Sequence, residues 1–321
     1  MVNIIAAAVQ AAPKLFDRPE TIKRFAHWLE EAKARGANLV VFPESFLGGY
    51  PKGVDFGVRV GSRDAVGREL FEAYYNSAFV TGEAALNQVC QLVADAGVHV
   101  VVGIMEAASG TLYCSAATIG PDGRILNWHR KLIPTAMERV IWGFGDGSTD
   151  KVVDTDIGRV SMSICWENYM PLHRSHLYQQ RTELYTVPTV DDRDVWLPSM
   201  QMIALEGRCF VISACQYMTR GDVGGSLPYD AIQGDSPDTV LIAGGSTIVS
   251  PMGEVLAEPL RGGPGIVTAE LDMTEIVRGK FDLDGAGHYG RQDIFTLSVD
   301  ERETLGLTSP AQTDRQTQRK T

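Results

Sequence analysis

The 321-residue sequence has no apolar run near the roughly 20 residues that a membrane-spanning helix needs. Its longest uncharged stretch, Thr239 to Gly253, is broken by Gly, Ser and Pro, so no membrane partner is expected. Positive charge is short: 29 Lys+Arg stand against 40 Asp+Glu, a formal net charge of −11. An acidic surface repels phosphate backbones and argues against a nucleic-acid partner. Cysteine is scarce and odd in number at 5, without C-x-x-C spacing. A chain this long needs no staples, so the thiols read as free and the location as cytoplasmic. No basic segment precedes Val2 to Val9, which reads as a buried strand rather than a secretory leader. The chain also lacks the composition of disorder, since 44% of its residues are hydrophobic and can bury a core.

What is present alternates between strand and helix patterns. Ile22, Phe25, Ala26 and Leu29 recur at helical spacing, with Asp17 as N-cap and Gly36 as the stop. Asn38 to Phe42 is a short apolar β run. Leu70, Phe71, Tyr74 and Tyr75 form a second helical stripe, and Leu86, Val89, Cys90 and Val93 a third, ending at Gly97. Val98 to Met105, Leu112 to Ile119 and Arg124 to Trp128 read as an antiparallel meander, with turns at Ser109-Gly110 and Pro121-Asp122-Gly123. Then follow a strand over Arg159 to Cys165, a helix over Met170 to Gln180, a strand over Leu184 to Val187, a helix over Val195 to Leu205 and a strand over Cys209 to Ala214. A hairpin (Ser246 to Ser250, Glu254 to Glu258), a strand (Ile266 to Leu271) and a helix (Met273 to Lys280) complete the pattern. Mixed strand directions with helices in blocks predict a layered α/β sandwich. Residues 1–300 read as one domain, and 301–321 as a polar tail, disordered or an interface arm. Two long loops, Gly48 to Arg63 and Tyr217 to Gly244, are candidates for function or interface.

Three polar residues sit at the ends of apolar strands, where α/β folds build sites: Glu44, Lys131 and Cys165. Together they make a coherent chemical set. A thiol is the nucleophile, and a nearby cation lowers its pKa. A carboxylate moves protons, and an ammonium stabilises developing negative charge. Taken singly, each has an ordinary reading: a core thiol, a solvated carboxylate, a surface lysine. Cys90, Cys114, Cys209 and Cys215 fit the core reading, because each lies in an apolar element. Cys165 differs, because Trp166-Glu167-Asn168 follows it at once and marks a sharp strand-to-helix turn whose first amides can face the thiol.

Longer motifs surround these three. They are Gly36-Ala37-Asn38-Leu39-Val40-Val41-Phe42-Pro43-Glu44-Ser45-Phe46-Leu47-Gly48-Gly49-Tyr50-Pro51; His129-Arg130-Lys131-Leu132-Ile133-Pro134-Thr135 with Glu138-Arg139 and Trp142-Gly143-Phe144-Gly145-Asp146-Gly147; and Cys165-Trp166-Glu167-Asn168-Tyr169-Met170-Pro171-Leu172. Gly287-His288-Tyr289 with Arg291 and Asp293 adds a C-terminal signature. On these residues the chain resembles the nitrilase branch of the carbon–nitrogen hydrolase superfamily, from about Ile4 to Phe295. Gly49-Tyr50-Pro51-Lys52-Gly53 and Ile212-Ser213-Ala214-Cys215-Gln216 resemble the plant-type nitrilases and their bacterial relatives. Ser161-Met162 stand where the family has small residues, and Gln292 where it commonly has Pro.

The resemblance implies a four-layer α-β-β-α sandwich and hydrolysis of a small organic nitrile, aliphatic or arylaliphatic, to acid and ammonia. It implies that Cys165 is the nucleophile, Glu44 the general base and Lys131 the stabiliser of charged intermediates, with Glu138 a second glutamate that orients Lys131 or assists proton transfer. The backbone N–H of Trp166 joins Lys131 in that stabilising role. An apolar pocket suits a nitrile, and Tyr50, Trp142, Trp166, Thr189, Val190 and Trp196 are its candidate lining. No metal or organic cofactor is needed, and His129, His173, His176 and His288 form no ligand-spaced cluster; His288 reads as structural. The resemblance further implies dimers that extend into larger oligomers or spirals, through the Met170 to Gln180 helix and the Tyr217 to Gly244 loop. Rival readings are a cyanide hydratase or dihydratase, an amidase or carbamoylase with the same Glu-Lys-Cys set, and a silent assembly module.

Overall fold

Two six-stranded sheets lie face to face in the structure, a computed structural model that describes residues 4–223 and 233–304. In chain order its elements are β1 (Ile4–Gln10), α1 (Arg18–Ala34), β2 (Leu39–Val41), β3 (Val58–Arg59), β4 (Ser62–Arg63), α2 (Ala65–Ser77), α3 (Ala84–Ala96), β5 (His99–Ala108), β6 (Thr111–Ile119), β7 (Ile125–Arg130), β8 (Val153–Thr155) and β9 (Gly158–Met162). After these come α4 (Pro171–Gln179), β10 (Leu184–Thr189), α5 (Trp196–Gly207), β11 (Phe210–Cys215), β12 (Tyr217–Thr219), β13 (Val240–Ala243), β14 (Thr247–Val249), β15 (Val255–Ala257), β16 (Gly265–Leu271) and α6 (Thr274–Gly279).

The first sheet has the order β16-β1-β2-β5-β6-β7 and the second β15-β14-β11-β10-β9-β8. At the centre of each, three strands run parallel: β1, β2 and β5 in one, β9, β10 and β11 in the other. Antiparallel strands flank them, including the β5-β6-β7 meander expected from the turn residues. Alternation along the strands explains the layers, because successive side chains face opposite ways. Ala6, Ala8, Leu39, Val41 and Val101 meet Val160, Met162, Leu184, Phe210 and Ile212 between the sheets. Ala7, Val9, Val40, Val100 and Val102 face outward onto Ile22, Phe25 and Leu29 of α1 and Leu86, Val89 and Val93 of α3. Tyr185, Val187 and Val211 do the same beneath Leu177 of α4 and Met200 and Ile203 of α5. The result is the four-layer α-β-β-α sandwich, and each large apolar side chain buried in it contributes about 1.5–3 kcal/mol.

Local signals set the element ends. Asp17 caps α1 by accepting from Glu20 N–H at 3.0 Å, and Gly36 beyond the helix end takes φ +80. Gly97 ends α3 in the left-handed region. The expected strand over Arg159 to Cys165 ends earlier, at Met162. Cys165 instead opens a five-residue 3₁₀ turn, Cys165–Tyr169, with φ +50. A non-glycine residue held there costs roughly 1–2 kcal/mol, and such strain survives only where the surroundings over-determine it. Within the Gly48 to Arg63 loop, β3 and β4 pair as a small ribbon. The ends of the Tyr217 to Gly244 loop pair as β12 and β13; residues 224–232 within it, and the tail expected at residues 301–321 from residue 305 onward, lie outside the described residues. Among the described residues no helix is long and apolar enough to cross a membrane.

One glycine lets the sheet carry the site. A Cβ on Gly103 of β5 would lie 2.4 Å from Pro43 O and 2.6 Å from Glu44 Cα. Only a residue without a side chain allows the Glu44 segment to rest directly on β5.

Candidate active site

Glu44 follows the C-terminal end of β2, Cys165 follows that of β9, and Lys131 continues β7. The carboxyl ends of parallel strands are where open α/β sheets place their sites. Facing sheets bring these three distant segments into one buried cluster, with Glu44 0%, Lys131 1% and Cys165 3% exposed.

Lys131 Nζ donates to Glu44 Oε1 at 2.7 Å and to Glu138 Oε2 at 3.0 Å. Glu138 is held in turn by Tyr50 OH at 2.8 Å and by Thr135 N–H at 2.6 Å, within a 3₁₀ turn over Ala136–Val140. The Trp142 ring stands 5.8 Å from Lys131 Nζ and meets the Tyr50 ring edge-on. Gln216 Nε2 binds the Glu44 backbone oxygen at 2.7 Å, and Cys114 Sγ donates to Glu44 Oε1 at 3.5 Å. Glu44 Oε2 is buried without a hydrogen-bond partner among the described residues, which leaves it free to take a proton.

The electrostatics follow from burial and from two carboxylates around one ammonium. Burial disfavours the charge on Lys131, but Glu44 and the neighbouring acidic groups outweigh it and hold its pKa well above the ordinary lysine value. Burial pushes the Glu44 carboxyl up, with Lys131 pulling back and Glu138 adding to the rise. The Cys165 thiol is pushed up strongly, first by burial and then by the Glu44 charge, and Lys131 offsets only part of this. The cation does lower the pKa of the thiol, as expected, but burial and the Glu44 charge outweigh it. Cys165 therefore rests as a thiol, and an attack through its sulfur requires that proton to leave as the new bond forms.

The Cys165 turn adds a donor. Its first internal hydrogen bond runs from Glu167 N–H to Ile164 O, so the Trp166 N–H lies ahead of the bonded ladder beside the thiol. The Trp166 side chain is 42% exposed; its indole N–H donates to Asp191 Oδ2 at 2.8 Å, and the Arg193 guanidinium lies over its ring. Thr189 is buried at the end of β10, where its hydroxyl accepts from Asp191 N–H at 2.9 Å and its side chain slightly offsets the rise in the thiol pKa; Val190 follows it in the core between the sheets.

Trp196, one of the expected lining residues, lies in another layer. It packs under α5 on the outer face of the second sheet and donates to Ser213 Oγ at 3.0 Å. Ser213 points away from its neighbours Ile212 and Ala214, which face the intersheet core, so Trp196 belongs to the outer helix layer.

Two contributors make contacts that sequence alone did not show. Cys114 packs in the core as expected and also donates to the Glu44 carboxylate. His129 and Glu167 form a buried ion pair at 2.9 Å beside the site. His173 binds Asp150 Oδ2 at 2.9 Å and Ser163 Oγ at 3.0 Å, His176 binds the Asp150 backbone oxygen at 3.0 Å, and His288 is exposed. Among the described residues no group of three or more His, Cys, Asp or Glu is placed to hold a metal ion.

Residues 5–280 match the family model described as Carbon-nitrogen hydrolase. The chain is 48% identical over 311 residues to an aliphatic nitrilase of Sinorhizobium fredii, covering 97% of this chain and 100% of that protein. It is 45% identical over 314 residues to an arylacetonitrilase of Trametes versicolor, covering 94% and 98%. Among solved structures it resembles the C. elegans NitFhit protein, with a TM-score of 0.72 at 18% identity over 95% of this chain and 70% of that one. At that identity the likeness concerns the fold alone.

Proposed function

The chain belongs to the carbon–nitrogen hydrolase family, in its nitrilase branch, and from that premise we propose that it hydrolyses a small organic nitrile, aliphatic or arylaliphatic, to the carboxylic acid and ammonia. The observation that carries this reading is one buried cluster of thiol, carboxylate and ammonium in a chain 48% identical to an aliphatic nitrilase.

In this reading Glu44 Oε2 takes the Cys165 proton as sulfur attacks the nitrile carbon. The proton passes to the nitrile nitrogen and a thioimidate forms. Water, deprotonated by Glu44, adds to the carbon; the nitrogen gains protons, the C–N bond breaks and ammonia leaves. A second water attacks the resulting thioester, the C–S bond breaks, and sulfur recovers its proton. Lys131 Nζ and the Trp166 N–H lie where charge develops on nitrogen or oxygen. Glu138, fixed by Tyr50 and Thr135, holds Lys131 from its other side. Tyr50, Trp142, Trp166, Thr189 and Val190 border the substrate space. No organic cofactor or metal enters these steps.

The test is a panel of aliphatic and arylaliphatic nitriles, matched amides and cyanide, with ammonia and the carbon product identified. Acid and ammonia from nitriles are the expected result. Turnover confined to amides would replace the reading with an amidase or carbamoylase, and formate or formamide from cyanide alone with a cyanide-hydrating enzyme.

We also propose one hydrolase domain over residues 1–300, a polar tail over 301–321, a cytoplasmic location in keeping with five free cysteines, and a homodimer that builds larger assemblies. Support for assembly comes from large apolar side chains left in solvent, including Leu172 of α4 at 71%, Val277 of α6 at 72% and Phe281 at 90% exposure. Light scattering should give a mass well above the 35.0 kDa of one chain. A monodisperse, fully active monomer would contradict it.

A further inference from the structure

Glu167 and His129 take no part in the steps above, yet both are buried to within 1% of full enclosure. Their hydrogen bonds run to the two segments that carry the chemistry. Glu167 Oε1 accepts from Leu132 N–H at 2.7 Å and binds His129 Nε2 at 2.9 Å. Glu167 Oε2 accepts from Ile164 N–H at 2.7 Å. Leu132 directly follows Lys131, His129 precedes it by two residues, and Ile164 directly precedes Cys165. One carboxylate therefore spans from the stabilising ammonium's segment to the nucleophile's.

We propose that the Glu167–His129 pair is a positioning device that fixes the Cys165 turn against the Lys131 segment, so that thiol and ammonium reach the same substrate atoms in register. Three observations support it. First, Cys165 sits at φ +50, a conformation that persists only when neighbours enforce it, and Glu167 binds the residue before it while Asn168 Nδ2 binds the Cys165 carbonyl at 2.7 Å. Second, the pair is braced from behind: the His173 ring stacks on His129 at 6.1 Å and reaches Ser163 Oγ and Asp150, and Thr149 Oγ1 approaches His129 Nδ1 at 3.4 Å. Third, the charges are locked. Burial opposes both charges, but the partner together with His173 and the Leu132 N–H for Glu167, and with Asp150 and Thr149 for His129, outweighs it, holding Glu167 down at about 2 and His129 above its ordinary value. A buried ion pair is a poor way to stabilise a core, since packed apolar groups do as well or better. Its value here is geometric.

The device rests on the covalent Cys165 reading, and its test is built to stand apart from the substrate assignment. His129→Leu, His129→Gln and Glu167→Gln are compared with the wild type on whichever nitrile or amide the wild type turns over fastest. A wrong nitrilase reading then changes the substrate, not the ratio. Assays run well below each variant's thermal midpoint, so that all the protein is folded. His129→Leu should lower kcat about 100-fold, the scale of a small misplacement of catalytic groups, with KM changed less than about threefold because neither residue touches substrate. His129→Gln keeps an N–H for Glu167 and should recover kcat to within about tenfold of wild type. Glu167→Gln puts a donor against a backbone N–H and should resemble His129→Leu. A folded His129→Leu with kcat within threefold of wild type overturns the proposal, as does an effect on KM alone or an equal loss in His129→Gln and His129→Leu. Failure of both His129→Leu and Glu167→Gln to fold also counts against it, because a positioning role predicts a folded, slow enzyme.

Discussion

Replacing Lys131 with methionine should lower turnover by at least about 10³-fold and destabilise the fold by about 3–5 kcal/mol. Methionine keeps much of the apolar stem and removes the charge. It leaves Glu44 and Glu138 facing each other in a buried site where Nζ had bound both, at 2.7 Å and 3.0 Å. Truncating one member of a buried charged cluster is costly because the partners keep their desolvation penalty. The variant can relieve part of that cost by protonating a carboxylate, which gives the effect a pH signature. Burial already raises Glu44, and Lys131 is the largest influence pulling it back. Without Lys131 its folded pKa climbs further above the unfolded value of about 4.3. The folded state then binds more protons than the unfolded state, so stability falls as pH rises through that interval. The gap in thermal midpoint between wild type and Lys131→Met should be smallest near pH 5 and widen toward pH 8. A gap independent of pH, or turnover within tenfold of wild type, would contradict the assignment of Lys131. A protonated Glu44 is also no base, so lost stabilisation and lost proton transfer reinforce each other in the rate.

How far the site could be read in the sequence depends on how each residue makes its contacts. Glu44, Lys131 and Cys165 were legible because each follows the end of a strand within one to three residues inside a compact local motif, and strand ends converge at one rim of a sheet. Glu138 was legible only through the family resemblance, as part of the motif that carries Lys131. Cys114 was not, since its partner Glu44 is 70 residues away and the contact depends on the antiparallel register of β5 and β6 over the glycine Gly103. His129 and Glu167 were visible as motif letters, but their pairing across 38 residues requires the two sheets to face each other. Trp196 was misplaced because a helix residue near a strand end can face either layer, and only the orientation of Ser213 on β11 decides which. The strand predicted to reach Cys165 stops at Met162 for a related reason. Ser163 N–H still bonds Thr186 O of β10 at 3.0 Å, but the chain then leaves the ladder to make the strained turn that opens at Cys165. The fold itself was more legible than these details, because alternating apolar strands, capped helices and glycine turns are local signals. The same distinction applies to the thiol, whose pKa Lys131 lowers without deciding its net direction. The presence of a lysine could be read, whereas the burial and the Glu44 charge that outweigh it could not.

Cys165→Ala should abolish measurable turnover, a loss of at least about 10⁴-fold, while the protein remains folded. The change removes one sulfur from a packed position and costs on the order of 1 kcal/mol, too little to unfold a domain of this size. Neither thioimidate nor thioester can form on a methyl group, so retained activity would displace Cys165 as nucleophile. The state of the thiol in the wild type gives a second, independent check. A thiolate held in an ion pair at rest reacts with iodoacetamide rapidly even at pH 6. Here burial and Glu44 hold the thiol protonated through the physiological range, so alkylation of the Cys165 peptide should be slow at pH 6 and still rising above pH 9. Turnover should follow a different profile. It needs Glu44 ionised, so kcat/KM should fall as pH drops through the raised Glu44 pKa and level off above it. The divergence of these two profiles distinguishes a thiol deprotonated during attack from a preformed thiolate. If alkylation and turnover instead shared one acid limb, with fast labelling at pH 6, Lys131 would be serving chiefly to hold a thiolate, and Glu44 would be left to act only on water.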